Sequence, residues 1–138
     1  MYNNGNTGWL EMSPPTGDRA SRLRQSLSRL RDEIARVLDV FLARDPLVRG
    51  SVYELRRKCG KPSCACASGQ ALHSCIAITW TDGGRKRLRS LSPKEEMELM
   101  TLTENYRRFR RARARLVELH AKLIGVVDQL ELTRRRKP

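Results

Sequence analysis

Outside one short stretch the chain has no cysteine: all four thiols fall between Cys59 and Cys75. Aromatic side chains make up only 5% of the 138 residues, and acidic residues are scarce, 15 against 28 lysines and arginines. No apolar run approaches the roughly 18 residues needed to cross a bilayer, and residues 1–17 lack the basic and apolar regions of a signal peptide. Each scarcity excludes a class. So few apolar and aromatic residues in one small domain leave no material for a deep, enclosed substrate cavity, which rules out a large metabolic enzyme. The missing apolar run excludes a membrane-spanning role. Thiols crowded into one place, rather than dispersed as in a secreted disulfide framework, read as metal ligands in a reducing, cytoplasmic protein.

What is present is positive charge, a formal +13, spread along the chain. Residues 18–50 hold eight basic and five acidic side chains, residues 51–92 eight and two, and residues 93–138 twelve and seven. An excess this evenly distributed calls for a polyanionic partner.

The predicted architecture is α+β. Residues 1–17, rich in Asn, Gly, Pro, Ser and Thr, read as a disordered leader with only Trp9, Leu10 and Met12 as anchors. Residues 18–133 form a single domain and residues 134–138 a basic tail. Leu23, Leu27, Leu30, Ile34, Val37 and Phe41 alternate spacings of four and three, a heptad seam on a first helix over residues 18–45 that stops before Pro46. Ser92-Pro93-Lys94-Glu95 offers a serine cap, proline at the first helical position and glutamate at the third, the start of a second helix over residues 93–133. Its seam runs Leu99, Leu102, Tyr106 and Phe109. It then either keeps register through Arg113, Leu116, His120, Leu123, Val127 and Leu130, or shifts through Ala112 to Leu116, Leu119, Leu123 and Val126.

The two helices are expected to pair as an antiparallel coiled coil. Between them, residues 51–91 read as a small zinc-stabilised, three-stranded antiparallel sheet: strands over 51–58, 75–81 and 85–91, with Asp82-Gly83-Gly84 as the last hairpin turn. Ile76, Ile78 and Trp80 share one face of the second strand and should be buried against the helices. Arg85, Arg87 and Arg89 share one face of the third.

Cys59-Gly60-Lys61-Pro62-Ser63-Cys64-Ala65-Cys66, then His73 and Cys75, gives five candidates for the four places around one tetrahedral ion, zinc by default. Gly60 and Pro62 allow a sharp turn between the first two thiolates, and Lys61 offsets their charge. No acidic residue lies between Cys59 and Cys75 to serve as a base, so the site reads as structural and closed, not catalytic.

This segment resembles a family of small basic bacterial proteins of unknown function, often encoded near transposase-type genes. The family core is Gly-Ser, a basic strand, Cys-Gly-Lys-Pro-x-Cys-x-Cys, a His-Gly-Pro strand, a Gly-Lys hairpin and an Asn-Tyr-Arg-Arg-Phe-Arg helix. Gly50-Ser51, Cys59 to Cys66, His73, Gly83 to Lys86 and Asn105 to Arg110 match it, over about Leu38 to Leu132. The resemblance implies Cys59, Cys64, Cys66 and His73 as the ligands. Ser74 and Cys75 stand where the family has Gly-Pro, and Ile76 where it often has an aromatic, which leaves Cys75 as an alternative fourth ligand.

On the second helix Arg107, Arg108, Arg110, Arg111, Arg113 and Arg115 surround Tyr106 and Phe109. Glu104, spaced to pair with Arg108, and Glu118, spaced to pair with Arg115 or Lys122, cannot neutralise six arginines. The expected function is therefore a non-catalytic nucleic-acid-binding accessory protein, recognising DNA or structured RNA through phosphates and shape. Arg85, Arg87, Arg89, Arg107, Arg108, Arg110 and Arg111 would form its surface. It would serve as a subunit of a mobile-element or other nucleic-acid-processing complex, with a larger protein or ribonucleoprotein as partner. The competing reading is a coiled-coil protein-interaction adaptor that assembles with an acidic or larger protein partner, or a homodimer formed through the helical seam. No paired-carboxylate, Ser-His or phosphate-loop pattern marks an enzyme.

Overall fold

The computed structural model describes residues 16–138; the expected leader lies outside the described residues, except for Thr16 and Gly17, which open the first helix. The element order is α1 (Thr16–Leu42), β1 (Ser51–Arg57), a short 3-10 turn (Ala65–Ser68), β2 (His73–Asp82), β3 (Arg85–Ser90) and α2 (Pro93–Arg134). The chain divides into two compact units. One comprises Leu38–Ala114; the other joins the described residues up to Val37 with Arg115–Pro138.

In the Leu38–Ala114 unit the strands form one antiparallel sheet in the order β1-β2-β3. Ser51 to Arg57 pair with Thr79 to His73, and Ala77 to Asp82 with Ser90 to Arg85. The last hairpin turns on Gly83 and Gly84 at φ 55° and 78°, the two positive values that a two-residue turn matched to strand twist requires. As the middle strand, β2 carries the buried residues Ala77 and Ile78, while Ile76 and Trp80 are half-buried. Every residue of β3 is exposed. The sheet therefore has little apolar core of its own. Gly50 enters β1 so close to β2 that a Cβ there would sit 2.9 Å from the Thr79 carbonyl oxygen; only glycine fits.

The linker from α1 is fastened to α2 by the Val48 amide, which donates to the Leu102 carbonyl at 3.1 Å, and by Asn105, whose side-chain amide donates to the Pro46 carbonyl at 3.4 Å. Phe41 and Phe109 meet edge to face with centroids 4.9 Å apart, a favoured aromatic geometry. The start of α2 is a reciprocal capping box: the Glu95 amide donates to Ser92 Oγ at 3.4 Å and the Ser92 amide to Glu95 Oε2 at 3.1 Å.

The α2 seam shifts. Ala112 and Leu119 are buried and Leu116, Leu123, Val126 and Leu130 half-buried, whereas Arg113, His120 and Val127 are exposed. The step from Phe109 to Ala112 is three residues where strict alternation calls for four, and at 100° per residue Ala112 lies about 100° round the helix from Arg113, so the buried face turns at this point. Thr103, which belongs to neither apolar register, is fully buried and donates to the Leu99 carbonyl at 2.8 Å. In the helical unit Arg115 on α2 bonds Glu33 on α1 and, at 2.9 Å, Glu118. The seam makes a direct prediction: Leu119→Ala should lower unfolding stability by about 3 kcal/mol, whereas His120→Ala should change it by under about 0.5 kcal/mol. Denaturant titration of both variants checks this, and equal effects would refute the shifted register.

Candidate metal centre and basic surfaces

The cysteine loop is built by tight local turns. Gly60 takes φ 83°, the Cys64 amide donates to the Lys61 carbonyl at 3.1 Å, and Cys64 leads into the 3-10 turn that buries Cys66. Gly69, at φ 83°, closes that turn by donating to the Cys66 carbonyl and releases the chain toward β2. His73 is the first residue of β2, paired with Arg57 at the end of β1.

These turns bring Cys59, Cys64, Cys66 and His73 together with their ligand atoms all within 4.8 Å of one another. Cys59 Sγ and Cys66 Sγ are 3.4 Å apart, and Cys64 Sγ and His73 Nε2 3.2 Å. A tetrahedral ion with sulfur at about 2.3 Å would set its ligands roughly 3.5–3.8 Å apart, whereas a disulfide requires about 2.05 Å. All four cysteines are free thiols. The spacing suits a shared ion. Cys75 lies outside the cluster, half-buried, with its sulfur 3.7 Å from Ser90 Oγ.

The backbone prepares the sulfurs for the charged form. The Lys61 amide, then the Cys66 side chain, lower the Cys59 thiol pKa. The Cys66 amide, then His73, bring Cys64 down to about 6. Both amides sit two residues after the sulfur they serve, so the two turns repeat one device. Cys66 differs: the Cys59 amide donates to it at 3.3 Å and acts to lower it, but burial and the neighbouring thiols outweigh that and leave it raised. His73 is raised by its bonds to Cys64 and then Cys59. Amide donors to sulfur are the outer support that orients thiolate ligands. Arg57 and Lys58 line a cleft of about 500 Å³ with Cys59 and His73, adding positive charge beside the thiols that sequence spacing had assigned to Lys61 alone.

One comparison decides the relationship: the sequence model described as "Domain of unknown function (DUF6788)" matches residues 20–100. The chain belongs to this family. No curated protein and no solved structure matches it. The DUF6788 span takes in the whole cysteine-histidine cluster and all three strands, and ends before the Asn105 to Arg110 stretch of α2.

In this DUF6788 protein the seven arginines assigned by sequence to the binding surface are all exposed, but they are not equivalent, and Arg115 is half-buried. Arg89 gives Glu95 two bonds, at 2.9 and 3.1 Å, so it braces the start of α2, and Arg87 lies 3.9 Å from Asp82. Glu104 accepts from Arg107 at 2.9 Å and Arg111 at 2.8 Å, not from Arg108 as the spacing suggested. Among the described residues Arg85, Arg108 and Arg110 make no ion pair. Sequence reasoning missed Arg49, which lies with Lys86 and Arg107 on one cleft; no local pattern links residues so far apart. Among the described residues no helix is long and apolar enough to cross a membrane.

Proposed function

We propose that the protein is a non-catalytic, nucleic-acid-binding accessory protein whose basic unit is held in shape by one zinc ion on Cys59, Cys64, Cys66 and His73. Three thiolates and an imidazole form a closed set typical of structural zinc, leaving no position for a reacting water. The observation that carries the binding reading is the charge of the Leu38–Ala114 unit: sixteen lysines and arginines against eight carboxylates, with Arg85, Arg108 and Arg110 exposed and unpaired among the described residues. Folding does not call for such an excess, whereas phosphate contact does. Arg85, Arg87, Arg89, Arg107, Arg108, Arg110 and Arg111 supply the contacts, and no groove-reading module suggests base-specific recognition.

Binding of the purified protein to mixed-sequence DNA and RNA tests this reading. Affinity should fall steeply between low and moderate salt, with little preference for sequence. Absent binding, or binding indifferent to salt, would overturn it. A second reading, assembly with another protein or a second copy through paired helices, is favoured by the exposed Val117, Ile124, Val127 and Leu132 on α2. Such an apolar assembly would survive salt and would appear as self-association or as a defined complex in light scattering.

A further inference from the structure

The Leu38–Ala114 unit holds a cleft of about 410 Å³ in which two aromatic and three cationic side chains face the same space: Trp80, Tyr106, Arg49, Lys86 and Arg107. They come from four places, the linker before β1 (Arg49), β2 (Trp80), β3 (Lys86) and α2 (Tyr106 and Arg107). The lining includes no carboxylate. Among the described residues Arg49 and Lys86 make no ion pair, while Arg107 shares Glu104 with Arg111. Both aromatic residues are half-buried, and neither takes part in the ring pair Phe41–Phe109. Gly84, at φ 78°, leaves the hairpin rim without a side chain, and a Cβ there would meet only open space.

Cations alone would suit any polyanion. Partly exposed aromatic rings lining the same cleft suit a narrower class, an anion that also carries a flat π surface. Nucleotides combine the two, and strands of unpaired nucleotides are bound in this way, with backbone phosphates on basic groups and bases on aromatic rings. In a duplex the faces of the bases are stacked on one another and closed to Trp80 and Tyr106. The cleft lies at the small end of ligand sites, about 300–1,000 Å³, room for one nucleotide.

We propose that this cleft binds an unpaired nucleotide of a single-stranded nucleic acid, its base against Trp80 and Tyr106 and its phosphates against Arg49, Lys86 and Arg107. The proposal rests on the nucleic-acid reading above and narrows it from duplex or structured RNA to an unpaired strand at this one place. The exposed arginines of α2 then contact neighbouring phosphates.

Trp80 provides its own reporter, because the chain has two tryptophans and Trp9→Phe leaves Trp80 alone. The full-length Trp9→Phe protein is titrated with a short single-stranded oligonucleotide, the corresponding duplex and inorganic polyphosphate. The single strand should quench Trp80 emission and bind about tenfold more tightly than the duplex, as expected for one stacked base. Polyphosphate should bind without quenching. In the same background Arg49→Gln with Lys86→Gln, which removes no buried side chain, should weaken single-strand binding at least about tenfold while helicity and metal content stay at parent levels. If the oligonucleotides bind but leave Trp80 emission unchanged, with equal affinity for single strand and duplex, the cleft assignment falls and the wider surface reading stands. If neither oligonucleotide binds, both fall. Quenching by polyphosphate equal to that by the oligonucleotide, or a double variant that binds like the parent, would also overturn the cleft assignment.

Discussion

Stripping the metal from the purified protein should melt β1–β3 while much of the helical signal remains. The sheet is short, β3 is exposed along its whole length, and the buried residues of the strands are Ala77 and Ile78. Sheets of this size do not persist without support. Near the cysteine loop the buried side chain is Cys66 itself, so the sulfur cluster takes the place of a core. A structural zinc site of this kind contributes on the order of 10–16 kcal/mol in small metal-dependent domains, several times what two small apolar residues supply by burial. Protein purified without chelator should contain about one zinc per chain by elemental analysis. Chelation should abolish amide-exchange protection in β2. Cys59→Ser, Cys64→Ser, Cys66→Ser and His73→Ala should each lower metal content, and Cys66→Ser should also lose the packing of a fully buried side chain. Cys75→Ser should leave metal content unchanged, since its sulfur lies beside Ser90 and not in the cluster. Well under half an equivalent of metal, or loss of metal from Cys75→Ser but not from His73→Ala, would refute this assignment.

The features legible in the sequence are those encoded over a few neighbouring residues. Ser92 and Glu95 specify the start of α2 because each satisfies the other's backbone amide, and the structure places both bonds there. Gly83-Gly84 specifies its turn because both positions need positive φ. The cysteine spacing specified a cluster, since the intervening loop cannot carry those sulfurs far apart. Ambiguity began where two answers shared residues. Leu116 and Leu123 belong to both candidate α2 registers, and burial of Ala112 and Leu119 separates them. His73 and Cys75 fall two apart on one strand, so alternation places them on the same face; what separates them is the position of β3, which puts Ser90 beside Cys75. The partners of the arginines were not legible either. Glu104 has basic residues three, four and seven positions ahead, and helical spacing alone favours the nearest turn, yet Arg107 and Arg111 take its two oxygens.

That pairing sets the order in which the arginines of α2 should matter for binding. At 100° per residue, Arg107 and Arg111 lie within about 40° of each other on the side of α2 away from Phe109, with Arg108 and Arg110 flanking them. The four span about 160° of the circumference, enough to meet several phosphates of one strand. Their replacement by Gln should remove four charge-assisted hydrogen-bonding partners. Each phosphate left without its arginine lowers the slope of log affinity against log salt by about 0.7–0.9. Between 50 and 200 mM salt the parent should therefore lose on the order of a hundredfold more affinity than the four-arginine variant. Metal content and helicity should stay unchanged, because all four side chains are exposed.

Within the set, Arg108→Gln with Arg110→Gln should cost more than Arg107→Gln with Arg111→Gln, since a guanidinium already bonded to Glu104 must give up that bond to reach a phosphate. Arg111, then Arg107, hold the Glu104 carboxyl below the usual carboxylate range, so it competes with phosphate as an anion at neutral pH. Glu104→Gln should thus strengthen binding severalfold and steepen its salt dependence, the opposite sign to every arginine change. A solvated or protein-facing role for these arginines makes no such prediction. If Glu104→Gln left affinity unchanged and the four-arginine variant bound DNA and RNA with the parent's salt slope, this face of α2 would not be a phosphate-binding surface.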